Sequence, residues 1–365
     1  MLKNKPFNFS VLLINFLFLL ILFGCSSNEN SNENYAYITN QKGNVFIMSL
    51  DDFSIVDEID VGKGNRGLAI TDDGQKLIVA VKNSNDLAIV NIKNKKIEKR
   101  IAIGENPEFV RINGNNAFVS FEPAAIGGPP PKPGSKKALE LKAQREIDDE
   151  QPARIAIVDI INGTKTFEIV GGMETEGIEF SFDNKEIVVT NEADENLSVH
   201  NIETGKLVKK IETQSFGNRP RGIKRSPSGD FYLATLEYGN KLIKLSKNYE
   251  ILKVVNTGLV PYGIAFSPDG KEAFVALSAG KSIQVFDTES MEPIREISTG
   301  DRCWHFTFTP DLDHIVSACG RSNEILVLES KSGKLVKRIK SSGMPWGVVT
   351  YPKSAGTLDT PTVSQ

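Results

Sequence analysis

Hydrophobic and polar positions alternate along this chain in short runs that never settle into a helical period. From Tyr35 onward four kinds of run recur in the same order, seven times, at a spacing of about 42 residues. The first is β-rich and ends in polar residues, as in YAYITN from Tyr35, KLIVAV from Lys76 and KEIVVTN from Lys185. The second closes near Asp or Asn, as in LAIVNI and IQVFDT. The third alternates sharply (IVDEIDV, LVKKIET, LVKRIKS), the mark of a strand with one face in water. The fourth opens on small residues and runs into a tight turn, as in GIAFSPDG, where Pro, Asp and Gly supply the turn chemistry.

Four short antiparallel strands repeated seven times predict an all-β, seven-bladed β-propeller. One blade cannot cover both faces of its own sheet, so its neighbours must. The series starts on the first kind of run and ends on the fourth, Trp346 to Tyr351. The C-terminal strand is therefore expected to close the ring as the innermost strand of the N-terminal blade, removing exposed edges. The propeller is expected over residues 35–353, with a C-terminal tail over 354–365.

An insertion, residues 123–152, interrupts the third repeat between its first two strands. PAAIGGPPPKPG reads as a stiff extended segment and SKKALELKAQREIDDE as a short helix capped by Ser135. Loops at that point of the repeat leave on the side of the channel mouth. The insertion reads equally as a lid, a partner-docking arm or a plain surface loop.

The N-terminus follows a different pattern. Lys3 and Lys5 precede an apolar run from Val11 to Phe23, broken only by Asn15 and too short for a comfortable membrane span. Leu22-Phe23-Gly24-Cys25 resembles the bacterial lipobox, which implies a signal peptide over 1–24 and lipidation of Cys25. Residues 25–34 then form a polar tether. The chain is expected in the cell envelope, lipid-anchored to a membrane and facing the periplasm or the cell surface.

With 43 basic and 46 acidic residues the net charge is −3, and no basic stripe stands out, so nucleic acid is not an expected partner. With Cys25 committed to lipid, Cys303 and Cys319 remain, too few for a disulfide framework.

Tyr37-Ile38-Thr39-Asn40, Val189-Thr190-Asn191, Val260-Pro261-Tyr262-Gly263 and Ser267-Pro268-Asp269-Gly270 resemble the YVTN-type β-propeller repeat. Cys303 to Asp311, Arg321-Ser322-Asn323 and Met344 to Val349 are similar to propellers associated with pyrroloquinoline-quinone-dependent catabolism. This second resemblance implies an accessory role in periplasmic alcohol oxidation. Pyrroloquinoline quinone is then a candidate ligand, and a periplasmic dehydrogenase or transport protein a candidate partner of a monomeric propeller.

Aligning the seven fourth strands places Arg66, Glu108, Glu176, Arg221, Tyr262, Trp304 and Trp346 around one channel mouth. The next column is Gly67, Phe109, Gly177, Gly222, Gly263, His305 and Gly347, where glycine suits close approach of strands. Deeper lie Arg111, Glu179 and Lys224. An ionisable arc thus faces an aromatic arc. Charges so placed must meet water or one another. They either form an ion-pair girdle between blades or hold a planar anionic ligand, cations on its carboxylates and indoles on its plane.

Cys303 and His305 share one strand face, and Cys319 falls opposite Cys303 in the hairpin. Two buried thiols are the expectation there; a disulfide and a soft-metal site of Cys303, His305 and Cys319 are the alternatives. No hydrolase elbow, paired-histidine motif or phosphate loop is present. The preferred reading is a non-enzymatic, membrane-tethered binding module. A lactonase or cycloisomerase using Glu176, Arg221 and His305, or a protein-interaction scaffold, are the alternatives.

Overall fold

The computed structural model describes residues 34–123 and 151–359, together with Met1 and residues 135–137, 139, 140 and 143. The expected signal peptide, Cys25, most of the tether and residues 360–365 lie outside the described residues. Among the described residues no helix is long and apolar enough to cross a membrane.

Twenty-eight strands among them form seven four-stranded antiparallel sheets. Six blades are contiguous in sequence, whereas the first takes its innermost strand from Pro345–Tyr351, paired beside Tyr35–Asn40. This is the seven-bladed propeller and the closure expected from the repeat. Burial follows the period: the second strand of blade 2, Lys76–Val81, is almost wholly covered, while the outermost strand of blade 7, Leu335–Lys340, is mostly open. The core lies between sheets. Ile38, Met48 and Val348 of blade 1 pack on Val316, Ile325 and Val327 of blade 7, so closure is sealed by hydrophobic contact as well as by strand pairing.

Two recurring backbone features build the mouth. Every innermost strand breaks register with its neighbour near its start, as between Thr175 and Ile178, Pro220 and Ile223, and Pro261 and Ile264. In blades 1, 3, 4 and 5 the break leaves an N–H without a ladder partner, and a hydroxyl supplies one. Thr190 Oγ1 accepts from Gly177 N–H and donates to Arg221 O of the next blade, both at 2.8 Å. Thr235 does the same between Gly222 and Tyr262 O, again at 2.8 Å. The Thr of each Val-Thr-Asn-like run is thus a rivet between neighbouring innermost strands.

The second feature is a left-handed residue two positions before each mouth residue. Gly64, Asn106, Glu174, Arg219, Val260, Arg302 and Met344 all have φ between 51° and 81°. This turn swings the chain into the channel and leaves the side chain at that position on the rim.

In the insertion, residues 136, 137, 139 and 140 are helical and Leu139 N–H donates to Ser135 O at 3.0 Å, as expected there. The proline-rich part lies outside the described residues.

Candidate functional site at the channel mouth

Each glycine of the second column sits against the next blade. A Cβ on Gly67, Gly177 or Gly222 would strike the carbonyl oxygen of Glu108, Arg221 or Tyr262 respectively. Phe109 and His305, which replace glycine in blades 3 and 7, instead fill the centre. His305 lies 4.4 Å from Trp346, 5.4 Å from Tyr262 and 6.0 Å from Phe109, ring centre to ring centre. Trp304 departs from the expected aromatic arc. Half-buried, it lays its ring over Gly320 at the edge of blade 7.

The mouth residues expected to converge do so in two adjoining ion-paired sets. Arg66 is ion-paired to Glu108. Arg221 is ion-paired to Glu176 and lies 3.0 Å from the Tyr262 hydroxyl, which is itself 3.5 Å from Glu176. Arg221 also reaches Glu192 and, at 2.9 Å, Glu237. Arg219 joins Glu174 at 2.9 Å, Glu192, and Glu237 at 3.3 Å, and Arg302 stands 3.7 Å from Glu237.

Glu122, Glu192 and Glu237 were not singled out from the sequence. They occupy one column of the repeat, at the end of the second strand or just after it, which reads Gln41, Lys82, Glu122, Glu192, Glu237, Ser278 and Gly320. Backbone geometry supports the column: Lys82, Glu192 and Ser278 N–H donate to Gly64, Glu174 and Val260 O, each at 2.9 Å, while Glu122 N–H reaches one residue further back, to Glu105 O, also at 2.9 Å. Reading that column beside the mouth column was the available signal. Together the rim carries carboxylates at 108, 122, 174, 176, 192 and 237 against guanidiniums at 66, 219, 221 and 302.

Excess buried carboxylate moves protons. Burial pushes the Glu176 carboxyl up to about 7, outweighing the pull of Arg221, with Glu108 adding repulsion. Burial, then Glu108 and Glu176, hold Glu122 well above the usual carboxylate range. For Glu237 burial works upward, but Arg221 and Arg219 keep it below that range. Burial, reinforced by Arg111, Arg221 and Lys224, keeps His305 neutral. A hollow of about 10 Å3, the size of one water, lies under this network, lined by Glu176, Arg221, Tyr262, Phe109, His305 and Thr357.

The deeper tier is occupied by the chain itself. Residues 354–359 run along the channel axis: Ala355 O accepts from Phe308 N–H at 2.8 Å and Thr357 N–H donates to Phe306 O at 2.9 Å. Arg111 donates to Leu358 O and, at 3.1 Å, to Thr357 O. Lys224 donates to Asp359 O and, at 2.6 Å, to Gly356 O. Glu179 lies 3.7 Å from Arg111, and Thr357 Oγ1 meets His305 Nδ1 at 3.0 Å. So Arg111 and Lys224, expected to line the channel, grip the tail, while Glu179 stands beside Arg111 and accepts from Phe180 N–H and Arg225 N–H.

Cys303 and Cys319 face each other across the hairpin and are joined as a disulfide, not held as the two thiols expected. Their sulfurs bind one another, so the alternative trio of Cys303, His305 and Cys319 lacks thiolate donors for a soft metal.

Fold and site define a closed seven-bladed propeller with a plugged axis and one ionisable mouth. No protein-family model matches the chain, and no curated protein matches it. Solved structures do. A 6-phosphogluconolactonase-like protein of Bacteroides uniformis is similar with a TM-score of 0.67 at 16% identity, over 87% of this chain and 99% of that one. Hydrazine synthase of Kuenenia stuttgartiensis is similar with a TM-score of 0.64 at 18% identity, over 80% of this chain and 91% of that one. The dihydro-heme d1 dehydrogenase NirN is similar with a TM-score of 0.62 at 14% identity, over 87% of this chain and 75% of that one. These likenesses establish the propeller fold.

Proposed function

We propose that the mouth is an acid–base site for a small neutral molecule with a lactone or similar ester carbonyl. In this reading the propeller is tethered outside the cytoplasm by the lipid expected at Cys25. The observation that carries the reading is the convergence of Arg221, Tyr262 and Glu176 over a hollow sized for one water. Arg221 and the Tyr262 hydroxyl are donors for the carbonyl oxygen, the place where negative charge develops as water adds. Glu176 in its ionised form takes the proton of that water. The ring oxygen leaves with a proton, and the product carries a carboxylate. The acidic rim around Glu176 then disfavours its retention.

The 6-phosphogluconolactonase-like neighbour fits this choice, although a phosphate is not part of it, because the mouth cations already hold carboxylates. For the same reason a neutral substrate is preferred to a planar anion such as pyrroloquinoline quinone. Arg66 and Arg221 are ion-paired, and Arg111 and Lys224 hold the tail. The accessory role in quinone-dependent oxidation rests on the resemblance of the last two repeats.

The test is hydrolysis of a panel of neutral sugar and aliphatic lactones. Glu176→Gln is expected to lower turnover by roughly 100-fold or more while the melting midpoint is kept. Wild-type protein no faster than buffer across the panel, or a variant as active as wild type, would defeat the reading.

A further inference from the structure

We propose that Glu108, Glu122 and Glu176 form a site for one divalent cation of the hard, oxygen-seeking class, of calcium size. The proposal deepens the reading of the mouth as the functional site.

Three independent elements bring these carboxylates together. Glu108 and Glu176 start the innermost strands of blades 3 and 4, and Glu122 follows the second strand of blade 3. One oxygen from each lies within 4.8 Å of the others. Donors on opposite sides of a calcium ion, each bound at about 2.4 Å, are about 4.8 Å apart, and adjacent ones closer. All three residues are buried, with 6%, 7% and 8% of their surface exposed.

Charge decides what the cluster lacks. Arg66 uses Glu108 Oε1 and Arg221 uses Glu176 Oε1. Glu122 has no such guanidinium, and its Oε1 is buried without a hydrogen-bond partner. Its backbone is clamped, since its N–H donates to Glu105 O at 2.9 Å and its carbonyl accepts from Asn106 Nδ2 at 3.0 Å. The orphaned oxygen is therefore held within the cluster by the frame. Beside these carboxylates stand the paired Arg66 and Arg221 and, as a further cation acting on Glu108 and Glu122, Lys82; a divalent ion gives the orphaned Glu122 oxygen the partner it lacks. An all-oxygen donor set selects calcium or magnesium over copper or zinc, and three protein carboxylates in one place suit calcium, since magnesium keeps most of its waters. A cation here also adds a positive centre beside Arg221 and Tyr262, where an ester carbonyl is to be polarised.

Isothermal titration of the EDTA-stripped full chain with CaCl2 and MgCl2 tests the site. One calcium per chain is expected, bound more tightly than magnesium, with affinity at least about tenfold weaker in Glu122→Gln. Calcium should raise the melting midpoint of wild type and not that of the variant. In EDTA the variant should melt at or above wild type, because it removes an unpaired buried carboxylate. No heat and no midpoint shift at roughly 10 mM of either ion overturns the proposal. Equal calcium affinity in Glu122→Gln overturns it too. Lactone hydrolysis without calcium binding would remove the cation site and leave the hydrolytic reading; calcium binding without hydrolysis would do the reverse.

Discussion

Thr190 and Thr235 each spend one hydroxyl on two backbone groups that the sheet ladder cannot serve, one in their own blade and one in the next. Replacing such a hydroxyl with a methyl leaves a buried N–H and a buried carbonyl without a partner. Thr235→Val is therefore expected to cost about 1–3 kcal/mol in urea unfolding despite its near-identical shape. An unchanged midpoint would mean that the register break finds another partner. The Val-Thr-Asn pattern was legible in the sequence, but its purpose was not, because a register break has no signature in a hydrophobic period. Rim chemistry was half legible for a related reason. The mouth column could be aligned from the glycines beside it, whereas Glu122, Glu192 and Glu237 stand one step beyond the hydrophobic run, where a charge reads as an ordinary strand end.

Among the elements, the innermost strands and the tail depend on each other. Arg111 and Lys224 are buried, and their charges are met by main-chain carbonyls of residues 356–359 together with the Glu179 and Asp359 carboxylates. Removing residues 354–365 strands both cations. The expected loss is about 3–5 kcal/mol in denaturant unfolding, partly restored when Lys224→Met is added to the truncated chain. Truncation without loss would show that the tail is not needed to compensate them. Nothing in the sequence of the tail announced this. Residues 354–359, SAGTLD, carry one large apolar side chain and two small residues, a composition that reads as surface coil. What the sequence did contain was Arg111, Glu179 and Lys224 on three successive innermost strands, charges that had to meet water or one another.

For the whole molecule, stability is a property of the ring. Blades share their cores with their neighbours, and the last strand supplies the first blade's inner edge. A chain stopped after residue 342 lacks that strand, leaves Tyr35–Asn40 with an open edge and uncovers Ile38 and Met48. It is expected to be lost from the monomer position in size-exclusion chromatography and to aggregate. A soluble truncated chain with a single sharp melt would contradict closure as the source of cooperativity. Blade number and closure were readable because both follow from counting a period. The order of charges across the mouth was readable only in part, since pairing depends on which blades are neighbours in space and on how the left-handed turn before each innermost strand aims its side chain.

Because residues 354–359 fill the axis, the propeller has, among the described residues, a front door and no back door. Whatever is handled at the mouth must leave by the route it arrived. In the proposed hydrolysis, a newly formed acid and the next uncharged guest compete for the same threshold, and crowding by the product slows the traffic even when the chemistry itself is fast.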